Sequence, residues 1–293
     1  MIDPVIFSFQ IGGITLALRW YGVLVMFGTL VGALLVNREV KRRGGDGDRI
    51  WDMMVWLVPA GVIGGRLWFV VNATVGGSDY YVKNPLQIFN VPQGGLHIFG
   101  GLLLGAIVLF YYAHRYKLDP WIYLDAIGPA ALVGQALARP ANFINQELYG
   151  PPTTLPWGIP IDALHRLPAY QDLSLYPVAT TRFHPDFAYE MIWNFLIAAL
   201  LLWVARRYAD KLKPGAIFFA WLFFAGFGRF WLEFLRPDQP RIDGFWMSYT
   251  QVATLVMVAC GAILFLARIG LFDIPFIHWP EQYQIAEQSE TTS

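Results

Sequence analysis

The chain has 293 residues, of which 56% are hydrophobic and only 14% are charged, and its formal net charge is zero. Soluble domains usually carry about 25% charged residues, so this composition excludes an ordinary soluble protein and predicts an integral membrane protein. The one cysteine, Cys260, excludes a disulfide framework and a cysteine metal site.

The first eighteen residues do not form a membrane span. The stretch "VIFSFQIGGITLAL" consists of two short segments around Gly12 and Gly13, which favours a hairpin at the outer membrane interface. An irregular start to the first helix is the alternative, and the sequence leaves both open.

Apolar stretches near twenty residues long recur after this segment, as bilayer-spanning helices require. We therefore predict an all-α, polytopic integral membrane protein. Its seven predicted transmembrane helices cover residues 20–37, 51–72, 96–114, 120–137, 187–205, 215–234 and 246–268.

Basic residues concentrate in three loops that alternating spans place on one side of the membrane. The loops read "NREVKRRGGDGDR", "HRYKLD" and "RRYADKLK", and the positive-inside rule makes their side cytoplasmic. The N-terminus is then outside and the C-terminus cytoplasmic. We expect a single membrane domain over 1–270, with an extracytoplasmic cap over 138–186, and a polar cytoplasmic tail over 271–293. The cap is too rich in proline between 151 and 183 for a long helix.

Ionisable residues inside spans are rare and mark candidate functional sites. The sixth span ends "FGRFWLEFLRPD", where Arg229, Glu233 and Arg236 are spaced to share one helical face. We expect Arg229 and Glu233 to pair and Arg236 to keep its guanidinium free near the outer interface. The structural alternative is a buried ion pair beside an arginine that reaches to the interface.

Further arginines lie in or beside other spans. Arg139, in "ARPANFINQELYG", has the predicted depth of Arg236, and Arg66 falls near the middle of the second span. Several arginines on one side without enough acids indicate an anionic ligand, and a phospholipid headgroup fits because guanidinium binds phosphate bidentately. The acids available to orient them or to serve as bases are Glu147, Glu190 and Glu233.

The start of the third span is rich in glycine. In "GGLHIFGG", two glycine pairs flank His97 and Phe99. Glycine permits either close helix packing or an irregular backbone whose N–H groups face a ligand, and both readings remain open.

These motifs resemble those of a known family. The stretch "ARPANFINQELYG" is similar to the signature G-R-x-x-N-F-x-N-x-E-x-x-G of the bacterial prolipoprotein diacylglyceryl transferases. The matching residues are Arg139, Asn142, Phe143, Asn145, Glu147 and Gly150. The motifs "LRWYG", "GGLHIFGG", "HPDFAYE" and "GRFWLEFLRPD" follow the family's order, and the resemblance covers residues 14 to 268.

The resemblance implies an enzyme that moves the diacylglyceryl group of phosphatidylglycerol to the cysteine thiol of a lipobox-containing lipoprotein precursor. Glycerol 1-phosphate leaves, and the site faces the outer leaflet of the bacterial plasma membrane. The expected partners are this phospholipid, the precursors and membrane lipid, without nucleic acid. The substrate supplies the nucleophilic thiolate, and neither a cofactor nor a metal is expected.

The resemblance also assigns residues to the site. The implied catalytic residues are Arg139, Arg229, Glu147 and His97. The implied lipid-binding residues are Tyr21, Asn142, Asn145, Gly150, Glu233, Arg236, Gly100 and Gly101. Among these, Arg139 and Arg236 have the charge and the side to hold the headgroup and to stabilise the departing phosphate.

The sequence departs from the family pattern where the proposed base stands. Many members have a histidine at the position of Phe99, and here His97 lies two residues earlier. Two residues are about 200° apart on a helix but share a face in an extended segment, so His97 replaces that base only in the second case. Ala225 and Ala138 are further departures. Glu147 or a phosphate oxygen of the lipid are other candidates for the proton acceptor.

Two other functions remain open at this point. The departures at Phe99 and Ala225 suit a homologue that binds an anionic phospholipid without this catalysis. Arginines inside spans also occur in anion transporters, although no internal repeat appears and the polar residues concentrate on one side.

Overall fold

The structure is a computed structural model that describes residues 2–11, 14–91, 94–275 and 279–285. Its helices, in chain order, are α1 (Trp20–Arg42), α2 (Arg49–Val75), α3 (Tyr80–Lys83), α4 (Ile98–Arg115), α5 (Pro120–Ala138), α6 (Pro140–Ile144), α7 (Asp186–Arg207), α8 (Ala216–Leu232) and α9 (Tyr249–Arg268). All except α3 belong to seven helical segments that are long and apolar enough to cross a membrane, and α5 and α6 together form one of them, Pro120–Ile144. The prediction of an all-α polytopic protein with seven spans is confirmed.

Helix α1 continues to Arg42 instead of ending near residue 37. The carboxylate of Glu39 is fully buried there and accepts hydrogen bonds from Arg42 Nε (2.9 Å) and Arg43 Nη1 (3.3 Å). These partners lie three and four residues along the helix, where side chains meet. Polar residues that were predicted as a loop therefore form the last helical turns.

The N-terminal segment forms a hairpin of two strands, β1 (Val5–Ile11) and β2 (Ile14–Arg19). The strands pair antiparallel, with Phe7 opposite Leu18. Gly12 and Gly13, the predicted turn, lie outside the described residues. The exposed rings of Phe7 and Phe9 stack 6.1 Å apart and give the hairpin an apolar surface. The hairpin prediction is confirmed, and its location at the membrane interface stays a prediction.

The chain divides into two compact units. The first contains the described residues of 1–35 and 124–282, and the second those of 36–123 and 283–293. In the first unit α8 packs against α7 and α9, and the buried core includes Leu132, Ile197, Leu201 and Ile217. The residues of the sequence signature belong to this unit.

Residues 149–185, hereafter the cap, have a small core of their own within the first unit. Tyr149, Ile161, Tyr170 and Phe183 are buried together. The guanidinium of Arg166 lies over the Phe183 ring, 5.3 Å from its centroid, and Nε donates to the Ile161 carbonyl (3.1 Å). This cap, all of which the structure describes, has only short 3₁₀ turns between its ends, as its proline content predicted.

In the second unit, glycines let α2 and α4 approach each other closely. A Cβ on Gly100 would lie 2.1 Å from the Gly64 carbonyl oxygen and 2.3 Å from Trp68 Cβ. A Cβ on Gly101 would lie 3.0 Å from the Gly61 carbonyl oxygen. Of the two readings of this glycine-rich segment, the structure shows helix packing at Gly100 and Gly101. Their predicted contact with lipid stays a prediction.

The Gly100→Ala substitution is expected to destabilise the protein by about 1–3 kcal/mol, because the new methyl group overpacks the contact between α2 and α4. Thermal unfolding in detergent, followed by tryptophan fluorescence, measures the effect. Gly105→Ala is the matched control, since a Cβ there meets nothing within 4 Å and alanine favours the same helix. Equal melting temperatures for the two variants would contradict the packing role.

Candidate active site

The signature segment begins at a break between α5 and α6. Arg139 occupies the one residue between these helices, and Pro140 then starts α6. The guanidinium of Arg139 forms an ion pair with Glu190 of α7, and its Nη1 donates to Asn142 Oδ1 (3.3 Å). Asn142 is buried and donates from Nδ2 to Glu147 Oε1 (2.9 Å). A continuous polar chain therefore runs from α7 through Arg139 to Glu147.

Glu147 lies on a tight turn after α6. Its Oε1 also accepts a hydrogen bond from Asn145 Nδ2 (3.2 Å), while the residue remains exposed. The flanking residues Gln146 and Leu148 have φ angles of 54° and 55°, a left-handed conformation that non-glycine residues rarely adopt. The turn therefore presents an exposed carboxylate whose position is fixed by two asparagine donors.

Gln146 holds this turn to the cap, a role that no sequence pattern predicted. Gln146 is buried, its Nε2 donates to Asp162 Oδ2 (2.8 Å), and its Oε1 accepts from the Asp162 N–H (2.7 Å). A two-sided bond of this kind fixes both partners, which offsets the strain at the turn. The spacing of sixteen residues follows no local periodicity, so only the fold brings the pair together.

Gly150 ends the signature against the start of α7. Its N–H donates to the His184 carbonyl oxygen (2.8 Å). A Cβ here would lie 2.8 and 2.9 Å from the two carboxyl oxygens of Asp186 and 2.9 Å from the Leu235 carbonyl oxygen. A side chain at position 150 has no room, which explains why glycine stands there.

The end of α8 contributes a second arginine. Arg229 pairs with Glu233 across 2.8 Å, as their spacing predicted, and the Glu233 side chain is 1% exposed. Glu233 Oε1 also accepts from Ser248 Oγ (2.8 Å). Ser248 caps α9 with a capping box to Gln251, so the start of α9 holds the carboxylate that orients Arg229. Sequence reasoning missed Ser248.

Arg236 is paired, and the expectation that its guanidinium stays free is wrong. Its Nε and Nη2 donate to the two oxygens of Asp238 at 3.0 and 2.9 Å. Burial raises the pKa of Asp238, but the hydrogen bonds and charge of Arg236 outweigh this and hold that pKa below its usual value. The pair is therefore ionised at neutral pH and breaks only as acid protonates Asp238.

The expectation that the arginines outnumber the acids is also wrong. Each of Arg139, Arg229 and Arg236 has its own carboxylate partner. An anionic phosphate therefore binds here only if the arginines donate to it as well as to their carboxylates, or if the site takes up a proton. The cluster is preorganised and close to neutral, which differs from a simple positive patch.

Arg66 is also occupied, because each of its three guanidinium nitrogens donates a hydrogen bond. It is buried in the second unit, and its nitrogens donate to the carbonyl oxygens of Gln87 (2.6 Å), Ile88 (2.8 Å) and Gly94 (2.7 Å). It also lies over the rings of Phe69 and Tyr81. These carbonyl groups satisfy an arginine that lies within a membrane-spanning helix, so the sequence-based grouping of Arg66 with the ligand-binding arginines is not supported.

His97 precedes α4 with an extended backbone, at φ −113° and ψ 126°. Its ring stacks on that of Phe99 with centroids 5.3 Å apart, so the two side chains are neighbours. Its Nδ1 is buried without a hydrogen-bond partner among the described residues. Phe99 already lies in the first turn of α4, so the two residues do not form the fully extended segment in which His97 would replace a base at position 99, although their rings are in contact. That role stays a prediction.

The His97→Ala variant tests this role. If His97 accepts the proton of the attacking group, the rate of the reaction falls by about 100-fold or more in this variant. Replacing the exposed His165 of the cap by alanine gives a matched control. A rate within a factor of two of the unsubstituted protein would remove His97 from the candidate bases.

Comparison with known proteins identifies the family to which the chain with this polar cluster belongs. The family profile described as prolipoprotein diacylglyceryl transferase matches residues 4–267. The chain belongs to this family. It is therefore a transferase, and the sequence-based identification and enzyme class are confirmed.

Similar curated proteins carry the same description. A phosphatidylglycerol–prolipoprotein diacylglyceryl transferase of Chloroflexus aggregans is 36% identical over 278 residues, which are 90% of this chain and 90% of the relative. Proteins of the same name from Bifidobacterium longum and Thermosynechococcus vestitus are 37% and 33% identical and cover 90% and 87% of this chain. The aligned residues are 84% and 92% of those two proteins.

The predicted site residues fall in both units. The first unit brings together Arg139, Asn142, Asn145, Glu147, Gly150, Arg229, Glu233 and Arg236, and it also contains Tyr21. Tyr21 is exposed near the start of α1, directly after the hairpin. His97, Gly100 and Gly101 belong to the second unit. The functional assignments of all these residues stay predictions.

Proposed function

We propose that this transferase uses its three arginine–carboxylate pairs to move the diacylglyceryl group of phosphatidylglycerol to the lipobox cysteine of a lipoprotein precursor. Glycerol 1-phosphate leaves, which makes this the first step of lipoprotein lipidation. The relatives' names state both substrates. The observation that carries the proposal is the presence of Arg139, Arg229 and Arg236, each held by a carboxylate, in one unit.

The solvent exposure of the three arginine side chains indicates different roles for them. The side chains of Arg139 and Arg229 are 22% and 27% exposed, whereas that of Arg236 is 9% exposed. Arg139 and Arg229 therefore reach the phosphate and stabilise the charge that develops on it as the carbon–oxygen bond breaks. Arg236, which is more buried, adds positive charge to the site without contacting the phosphate. Glu233 orients Arg229 as part of the same binding site.

Glu147 accepts the proton of the incoming thiol in this proposal. It is exposed, and the two asparagine donors at Oε1 leave Oε2 for the proton. Asn142 and Asn145 thereby position the base, and Gly150 and Tyr21 shape the surrounding lipid site. His97 is the other candidate base, and Gly100 and Gly101 line its segment.

The proposal places this site at the outer leaflet, with the N-terminus outside and the C-terminus cytoplasmic. The loop charges support this orientation. The proposal keeps a single membrane domain over 1–270, with the predicted extracytoplasmic segment over 138–186 and the cytoplasmic tail over 271–293. Labelling of single cysteines with an impermeant maleimide, in a Cys260→Ala background, tests the orientation. Leu164→Cys, at a 95% exposed position of the cap, reacts in intact cells, and Lys211→Cys reacts only after permeabilisation. The reverse pattern overturns the orientation.

A transfer assay tests the function. Purified protein is mixed with phosphatidylglycerol and a lipobox peptide, and the peptide mass is followed together with glycerol phosphate release. The peptide gains one diacylglyceryl group for each glycerol phosphate released. A peptide with serine in place of cysteine is the control and stays unmodified. Lipid binding without a mass gain on the cysteine peptide overturns the proposal.

A further inference from the structure

The start of α7 contains a buried carboxyl group that the proposed mechanism does not use. Asp186 is 4% exposed, and neither of its carboxyl oxygens has a hydrogen-bond partner within the part of the chain that the structure describes. No helix N–H donates to it, although it occupies the first turn. The other acids of the cluster differ, because Glu190, Glu233 and Asp238 each form an ion pair with an arginine.

Asp186 lies inside the arginine cluster. Its carboxyl oxygens fill the space beside Gly150 that a Cβ would otherwise occupy. The titratable and charged side chains that act on it are Tyr170 of the cap, Glu190 of α7, Arg229 of α8, and Arg236 and Asp238 after α8. The two arginines in this group are already matched by carboxylates of their own. Asp186 is therefore a carboxyl group for which the neighbouring arginines provide no separate cation.

Burial without a donor or a free cation favours the neutral carboxylic acid over the carboxylate. Entry of an anionic lipid phosphate into the cluster favours the neutral form further, because it adds negative charge nearby. We propose that Asp186 is the proton donor for the departing phosphate. The Asp186 carboxyl group holds its proton in the resting enzyme and passes it to the phosphate oxygen released from the diacylglyceryl carbon.

The proposed step balances. The thiol gives its proton to Glu147, and its sulfur forms a bond to the terminal glycerol carbon of the diacylglyceryl group. The bond from that carbon to the phosphate oxygen breaks with both electrons on oxygen, and this oxygen takes the proton of Asp186. After glycerol phosphate leaves, Asp186 regains a proton from solvent and Glu147 returns its proton to solvent. A single carboxyl group therefore does not need to serve as both acid and base.

The Asp186→Asn variant separates proton donation from packing. Asparagine has the shape of the neutral acid and keeps a hydrogen-bond donor, but it has no proton to give away. We expect kcat to fall by about 100-fold or more with little change in KM for the lipid. The rate of the unsubstituted enzyme falls at high pH as Asp186 ionises, and this limb disappears in the variant. Asp172→Asn, at an exposed aspartate of the cap, is the control with unchanged kinetics.

Infrared spectroscopy of the unsubstituted protein gives a second test that does not depend on how the variant folds. At neutral pH the spectrum contains the C=O stretch of a protonated carboxylic acid, and this band is absent from folded Asp186→Asn protein. An unsubstituted spectrum without the band overturns the proposal. Full transfer activity in Asp186→Asn protein also overturns it while leaving the transferase function intact.

Discussion

Replacing Arg139 by alanine is expected to lower the transfer rate by about 100- to 1,000-fold. The guanidinium connects Glu190 to Asn142, and through Asn142 to Glu147, so its loss removes a contact to the phosphate and loosens the base. The side chain is partly exposed, at 22%, and its loss leaves Glu190 able to reach water. Insertion into the membrane and the melting temperature therefore change little. Transfer to a lipobox peptide and thermal unfolding in detergent measure the two effects.

Arg182→Ala is the matched control for this variant. Arg182 lies in the cap and donates to the carbonyl oxygens of Ala179 and Thr181, so its replacement leaves the cluster intact. Transfer by Arg182→Ala protein equals that of the unsubstituted enzyme. An Arg139→Ala protein that fails to insert would instead give Arg139 a structural role, and one that retains full activity would remove Arg139 from the site.

Replacing Arg229 by alanine is expected to abolish activity and to destabilise the protein by about 3 kcal/mol. The substitution leaves Glu233 buried without its cation, and removing one partner of a buried pair costs more than the pair contributes. The cost stays near the low end of that range because Glu233 keeps the hydrogen bond from the Ser248 hydroxyl. Chemical or thermal unfolding in detergent gives the stability change, and the transfer assay gives the rate.

A double variant separates the two consequences of losing Arg229. Combining Arg229→Ala with Glu233→Gln removes the unpaired charge and keeps an acceptor for Ser248. We expect the double variant to regain most of the lost stability and none of the activity. Recovery of activity together with stability would show that Arg229 acts only by holding the fold, and its assignment to the phosphate would be wrong.

The membrane fold could be predicted from the sequence because an apolar stretch of about twenty residues has the length and composition of a helix that crosses the bilayer. All seven spans were found, and the main error in length lies at α1, where a buried Glu39 holds Arg42 and Arg43 in helical register. Residues with strong local periodicity were the most predictable. The cap was predicted only as a region without a long helix, because its core joins Tyr149 and Phe183 across a non-periodic segment.

The site could be predicted in part. The Arg229–Glu233 pair follows from helical spacing, since residues four apart lie on one face. The pair between Arg139 and Glu190 links residues that are 51 apart, so its geometry depends on how α6 meets α7. Whether a hydrogen-bond donor reaches the Asp186 carboxyl group depends on residues distant in the sequence. No local sequence pattern predicts that this group has no partner among the described residues. The sequence shows which charged residues are present, but the structure is needed to show which of them pair with each other.

A crystal structure of the protein with phosphatidylglycerol bound tests the central claim most directly. The phosphate is expected within about 3 Å of guanidinium nitrogens of both Arg139 and Arg229, at the distance of a charge-assisted hydrogen bond. Glu190 and Glu233 would then share those arginines with the lipid. A phosphate bound away from both arginines, with the two ion pairs unchanged, would contradict the account of the cluster as the headgroup site.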